Sequence, residues 1–307
     1  MDGKPQRYQV NHDCDRSQLA VVLTVREWQL ILPTLIQIGR FATGLIAIIT
    51  LLAILEGCGR QPVPTTKVKP QKTTINVAAA SDLKFAFDEI IDEFQRKFPE
   101  ITIEVTYGSS GNFYAQLENK APFDIFLSAD INLPRKLIEL GLAEKDTEFL
   151  YAVGRVGIWV RNDSPLDFEK LGQAGLMDAS VHSLAIANPK HAPYGRAAEA
   201  ALHHFGLYEQ VKDRLVFGEN VAQATQFVET GSADVGIIAH SLALAPRLKE
   251  KGRFWLIPAE AHPKLEQGGI ILNWAKDHQA CQQLRSFLVS ESGQEILRRF
   301  GFERSND

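Results

Sequence analysis

The chain has little cysteine. Cys14, Cys58 and Cys281 are three in 307 residues, too few and too scattered for a disulfide framework or a zinc site. It also lacks a positive surplus: 33 Lys and Arg face 37 Asp and Glu, a net charge of −4, so no basic field draws nucleic acid. No internal repeat appears, and no low-complexity tract beyond one short tether. With 45% apolar and 23% charged residues, what remains is an ordinary globular composition. The length suffices for one large or two medium domains.

The N-terminal region differs from the rest. Arg40 precedes the uncharged apolar run Phe41 to Leu55, the order of a positive n-region and an h-region in an export signal. Leu55-Glu56-Gly57-Cys58 follows, and Gly-Cys after an apolar run reads as a lipoprotein cleavage site with Cys58 lipidated. Glu56 stands where a small or apolar residue is usual, so an uncleaved anchor of marginal length is the alternative. Residues 1–58 are thus read as an N-terminal extension and leader. A second apolar stretch, Val21 to Ile38, lies inside that extension. Residues 59–74 carry three prolines and four basic residues and read as an extended tether.

From Ile75 onward strand-like runs alternate with helical periodicities, which predicts an α/β fold with mostly parallel sheets. Ile75 to Ala80 is a buried strand; Leu83, Phe87, Ile90, Ile91, Phe94 and Phe98 recur at helical spacing. Ile101, Ile103 and Val105 alternate with polar residues, Phe113 and Leu117 mark a helix, Phe123 to Ser128 a strand, and Leu133, Leu137 and Leu140 a helix. The same grammar restarts with strands at Ser183 to Ala187, Leu215 to Phe217 and Val235 to Ala239, and with helices through Ala197 to Phe205 and Val221 to Val228. Cys281 to Phe300 reads as two packed helices broken near Ser290 to Gly293. The doubled pattern implies two lobes, one from 75–154 and 262–307 and the other from 155–261. A ligand cleft between them is expected at the carboxyl ends of the strands.

Four strand-to-helix junctions carry small or hydroxyl residues: Ala80-Ser81-Asp82, Gly108-Ser109-Ser110-Gly111, Pro193-Tyr194-Gly195 and Glu219-Asn220-Val221. A helix start leaves N–H groups without intrahelical acceptors and carries a positive partial charge. Four such starts facing one cleft make an anion cage of neutral donors, with Ser81 and Ser110 adding hydroxyls. Helix capping explains any one of these residues equally well. No Lys or Arg lies in the first two junctions, which excludes a salt-bridge site there.

Other chemistries fit less well. Gly108 to Gly111 is not a Gly-x-Ser-x-Gly elbow, a Gly-Lys-Ser/Thr phosphate loop or a Gly-x-Gly-x-x-Gly turn. No general base stands near either serine, so an enzyme acting on anionic esters is the weaker alternative and no catalytic residue is assigned. His203-His204 reads as a solvated helix face rather than a metal site, and Cys281 as a core residue.

Taken in order, Val77 to Leu83, Gly108 to Gly111, Ala121 to Asp130, Asn188 to Arg196, Gly218 to Val221 and Gly236 to Ala239 resemble the bacterial molybdate-binding proteins of ABC importers. The resemblance runs from about Ile75 to Phe302. It implies the two-lobed type II periplasmic binding fold and a molybdate or tungstate ligand. It also implies oxyanion contacts from the hydroxyl and amide of Ser81 and of Ser110, and from the backbone N–H groups of Tyr194 and Val221. Asp82 and Gly111 match neighbouring positions, the Asp82 carboxylate pointing away from the anion. Where some members carry a tyrosine hydroxyl contact, this chain has Ala239.

The resemblance further implies no cofactor, no cation held directly, and a membrane permease of an ABC transporter as partner. The membrane is reached through the leader or a lipid at Cys58, on the periplasmic or outer side, and the protein is expected to be a monomer. A module that senses an anion, or one that binds sulfate or phosphate, is the alternative. All molybdate oxygens accept at neutral pH, so a donors-only cage suits it, whereas protonated phosphate sets a proton against a donor.

Overall fold

A computed structural model describes residues 72–304. The leader, Cys58 and the tether up to residue 71 lie outside the described residues.

Two five-stranded sheets organise the chain. The first begins with β1 (Thr73–Ala80), α1 (Lys84–Lys97), β2 (Ile101–Gly108), α2 (Ser110–Glu118), β3 (Ile125–Ser128), α3 (Asn132–Glu139) and β4 (Phe149–Gly154). The second contains β5 (Val156–Arg161), β6 (Leu184–Ala187), α4 (Pro193–His204), β7 (Leu215–Gly218), α5 (Val221–Glu229), β8 (Val235–Ala239) and β9 (Gly252–Leu256). The chain then returns to the first sheet as β10 (Leu265–Ile271), followed by α6 (His278–Val289) and α7 (Glu291–Arg299).

Strand order is β2-β1-β3-β10-β4 in one sheet and β7-β6-β8-β5-β9 in the other. Each holds two parallel and two antiparallel pairings. The expectation of mostly parallel sheets is therefore corrected to mixed ones. The reason is the two passages between sheets: β4 and β5 are separated by Arg155 alone, and β10 enters antiparallel between β3 and β4.

Period-2 and period-3.6 patterns account for the layers. Ile75, Val77 and Ala79 point to one face of β1, where Phe87, Ile90 and Phe94 of α1 and Leu284 and Leu288 of α6 cover them. Ala78 points to the other, against Phe113 and Leu117 of α2 and Leu137 of α3. Helix α1 stops at Lys97 because Pro99 disfavours the helical backbone at Phe98, which has φ −128° and ψ 70°. Edge strand β2 buries Ile101 and Ile103 and exposes Thr102 and Glu104, whereas central β3 is buried along its length. The second sheet has its own core, including Trp159, Ile186, Ala198, Ala201 and Leu202.

Candidate functional site

β1 is capped at its carboxyl end by a single 3₁₀ turn, Ser81–Leu83, which leads into α1. The small side chains of Ala78, Ala79 and Ala80 are buried and let neighbouring backbone come close. β2 passes through Ser109 into α2. Across from them, Pro193 occupies the first turn of α4, where its missing N–H costs nothing, and Asn220 precedes α5. All four junctions line one cavity; Ala129 and Ala192 complete its wall.

Capping accounts for only one of the four. The Asn220 side chain accepts the Gln223 N–H at 3.1 Å. No side chain caps the turns beginning at Ser81, Ser110 or Pro193. Both serines are buried, and each hydroxyl oxygen accepts a backbone N–H: Ser81 Oγ from Ala222 at 3.4 Å and Ser110 Oγ from Ala129 at 3.0 Å. An oxygen that is already accepting keeps its own proton to donate elsewhere. Ser110 and Val221 are first residues of their helices and Tyr194 is a second residue, so their N–H groups have no intrahelical acceptor. Among the described residues no lysine or arginine lines the cavity.

The remaining expected residues are placed differently from one another. The Gly111 N–H donates to the His191 carbonyl at 2.9 Å, and the Ser109 hydroxyl donates to the same oxygen at 2.6 Å. A Cβ at Gly111 would stand 2.3 Å from that carbonyl oxygen, so the loop before α4 approaches α2 only because this residue is glycine. The Tyr194 hydroxyl donates to Asp82 Oδ2 at 3.0 Å. Gln267 Nε2 lies 2.5 Å from the same oxygen and 3.0 Å from the Tyr194 hydroxyl. The Asp82 carboxyl is thus turned toward Tyr194 and Gln267, and burial pushes its pKa up to about 6. Ala239 is buried at the end of β8 and is not on the cavity wall.

Gln267, Tyr151 and Ser241 belong to this neighbourhood and carry no sequence signal. Gln267 lies on β10, whose Gly268-Gly269 reads as a turn. Tyr151 donates to the Ser128 carbonyl at 3.0 Å, and Ser241 to the Asp82 carbonyl at 2.8 Å. Among the described residues no group of His, Cys, Asp or Glu is placed to hold a metal cation. His203 and His204 are exposed on α4, and Cys281 is buried in the first core.

Residues 75–303 match the family of bacterial extracellular solute-binding proteins. The chain belongs to that family. It is 34% identical over 232 residues to the molybdate-binding protein ModA of Azotobacter vinelandii, covering 76% of this chain and 90% of that one. Identity to ModA of Rhodobacter capsulatus is also 34%, over 201 residues, covering 66% and 77%. The solved periplasmic molybdate-binding protein of Azotobacter vinelandii superposes with a TM-score of 0.70 at 28% identity, covering 74% of this chain and 98% of that one. The fold is accordingly the two-lobed α/β fold of periplasmic binding proteins, with a ligand cleft between the lobes. This solute-binding protein acts outside the cytoplasm and is not an enzyme.

Proposed function

We propose that the protein captures molybdate, or tungstate, in the cavity between its lobes and delivers it to the membrane permease of an ABC transporter. The observation that carries this reading is the convergence of four helix starts, three without a side-chain cap, on one cavity without a cation. Ser81 and Ser110 donate through hydroxyl and amide, Tyr194 and Val221 through their amides. The Tyr194 hydroxyl is committed to Asp82 and takes no part. Gly111 shapes the site by admitting the His191 loop.

Donors alone suit an anion whose oxygens all accept, and exclusion of water strengthens each bond. The names of the relatives support molybdate within that class. Tungstate shares its charge and nearly its size, so both belong to the proposal. The lobes are taken as 75–154 with 262–307, and 155–261. Anchoring by a lipid on Cys58, or by the leader itself, is part of the same reading.

Titration calorimetry with molybdate on Ser81→Ala and Ser110→Ala tests the site. Each substitution is expected to weaken binding by about 1–3 kcal/mol, roughly five- to 150-fold. Unchanged affinity in both variants removes the serines from the site.

A further inference from the structure

Asp82 is the single acidic residue among the described residues that line the cavity. Its carboxyl is turned into the protein behind the Ser81 turn and is buried there. Its Oδ2 is in contact with the Tyr194 hydroxyl and the Gln267 amide. Its Oδ1 is buried with no partner, and so is Gln267 Oε1. Two acceptors are therefore enclosed with nothing to accept, an arrangement that burial penalises.

Among the described residues no cation relieves the charge. The groups acting on the carboxyl are Tyr151 from β4, Tyr194 from α4, Gln267 from β10 and the backbone of Asp82 and Leu83. Both phenols are held neutral by burial. Ser241, on the turn after β8, donates to the Asp82 backbone carbonyl rather than to the carboxyl. Arg196 is paired with Asp130 and Lys84 with Asp88.

One proton, carried on Oδ2, cancels the buried charge, while Oδ1 stays without a partner. It also suits the 2.5 Å contact to Gln267, which is short for N–H···O but ordinary for O–H···O. With the Gln267 amide turned end for end, an orientation that heavy-atom positions do not distinguish, a protonated Asp82 donates to Gln267 Oε1. A dianion entering the same low-dielectric space repels a second negative charge and raises the carboxyl's proton affinity further.

We propose that the protein takes up one proton from solvent on the buried Asp82 carboxyl as it binds its dianion, so that the anion faces no second negative charge close behind the Ser81 turn. This deepens the oxyanion reading of the cavity and rests on it. The carboxylate and the dianion enter separately, and the complex holds the carboxylic acid and the intact dianion, one proton having left the buffer. The sign follows from the free-state value of about 6. Below it the carboxyl is already neutral, binding needs no proton and affinity is flat. Above it the proton is drawn from solution, and affinity falls by up to about tenfold per pH unit until the higher value of the complex is passed. Tuning of this kind makes Asp82 a positioning residue whose charge state sets how well the donors hold the anion.

The test is calorimetric titration of the full-length chain, in detergent, with sodium molybdate at about pH 7.5 in Tris and in HEPES, whose heats of ionisation differ. The heats are expected to differ between buffers by the amount that nearly one proton per site requires. Asp82→Asn, the neutral isostere, is expected to give equal heats in the two buffers, a flat pH profile and tighter binding than wild type at about pH 8.5. Equal heats from the wild type, or proton uptake persisting in Asp82→Asn, overturn the proposal. Absence of any binding by the wild type removes the oxyanion reading itself and the coupling with it. Should Asp82→Asn not fold, the wild-type buffer pair and pH series decide alone.

Discussion

Ser81 and Ser110 show why a serine at a helix start is not always a cap. Each hydroxyl takes a backbone N–H from outside its own helix, Ala222 and Ala129 respectively, so its proton is left for a ligand rather than spent on the first turn. Asp124 is the contrasting residue, an acidic side chain buried for structure alone. Its carboxylate accepts the Asn76 N–H at 2.7 Å and the Lys276 N–H at 3.0 Å, with the Asn76 side-chain amide at 3.3 Å. It thereby ties the approach to β3, the middle of β1 and the loop before α6. Asp124→Ala leaves those donors without an acceptor and is expected to lower stability by about 2–4 kcal/mol, read as a shift in the urea unfolding midpoint. A midpoint within experimental error of wild type contradicts that role.

Between elements, the loop before α4 and the start of α2 meet through the His191 carbonyl, which receives both Ser109 and Gly111. Because a Cβ at Gly111 falls 2.3 Å from that oxygen and 2.9 Å from the His191 Cα, Gly111→Ala separates the two junctions. Overpacking of this kind costs about 1–3 kcal/mol. The expected result is a roughly tenfold or greater loss of anion affinity by calorimetry, since the contact joins elements of different sheets. Affinity equal to wild type contradicts the close approach.

The same scale separates what the sequence made legible from what it did not. The runs at Ile75 to Ala80 and Val235 to Ala239, and the helix through Phe87, Ile90 and Phe94, are readable because one apolar period dominates each. All four junctions are readable because turn chemistry and helix starts leave local signatures. β10 is hidden by Gly268-Gly269, which are there to admit Ile131 and Phe149 against the backbone. The mixed sheet order is hidden because pairing of β10 with β3 joins segments far apart in the chain. Gln267 is hidden with its strand, and with it the partner that gives the Asp82 carboxyl its setting.

In the molecule as a whole, the two sheets are joined by groups at the cleft rather than by the chain passages alone. Arg196 pairs with Asp130 at 2.6 Å and Asn112 with Glu219 at 3.1 Å, outside the cavity that Ser81, Ser110, Tyr194 and Val221 enclose. Arg196 is 42% exposed, and exposed ion pairs contribute about 0–1 kcal/mol. Replacing both Asp130 and Arg196 by Ala is therefore expected to speed anion release by no more than about fivefold in stopped-flow measurements. A far larger acceleration contradicts a cage held mainly by its internal donors. Choice of anion belongs to the complete cage, since charge, size and protonation are read together. Calorimetric titration of the full-length chain with molybdate, tungstate, sulfate and phosphate under one set of conditions decides it. Tight, near-equal binding of molybdate and tungstate, with sulfate and phosphate much weaker, is the expected result; binding of sulfate or phosphate without molybdate contradicts the proposed function.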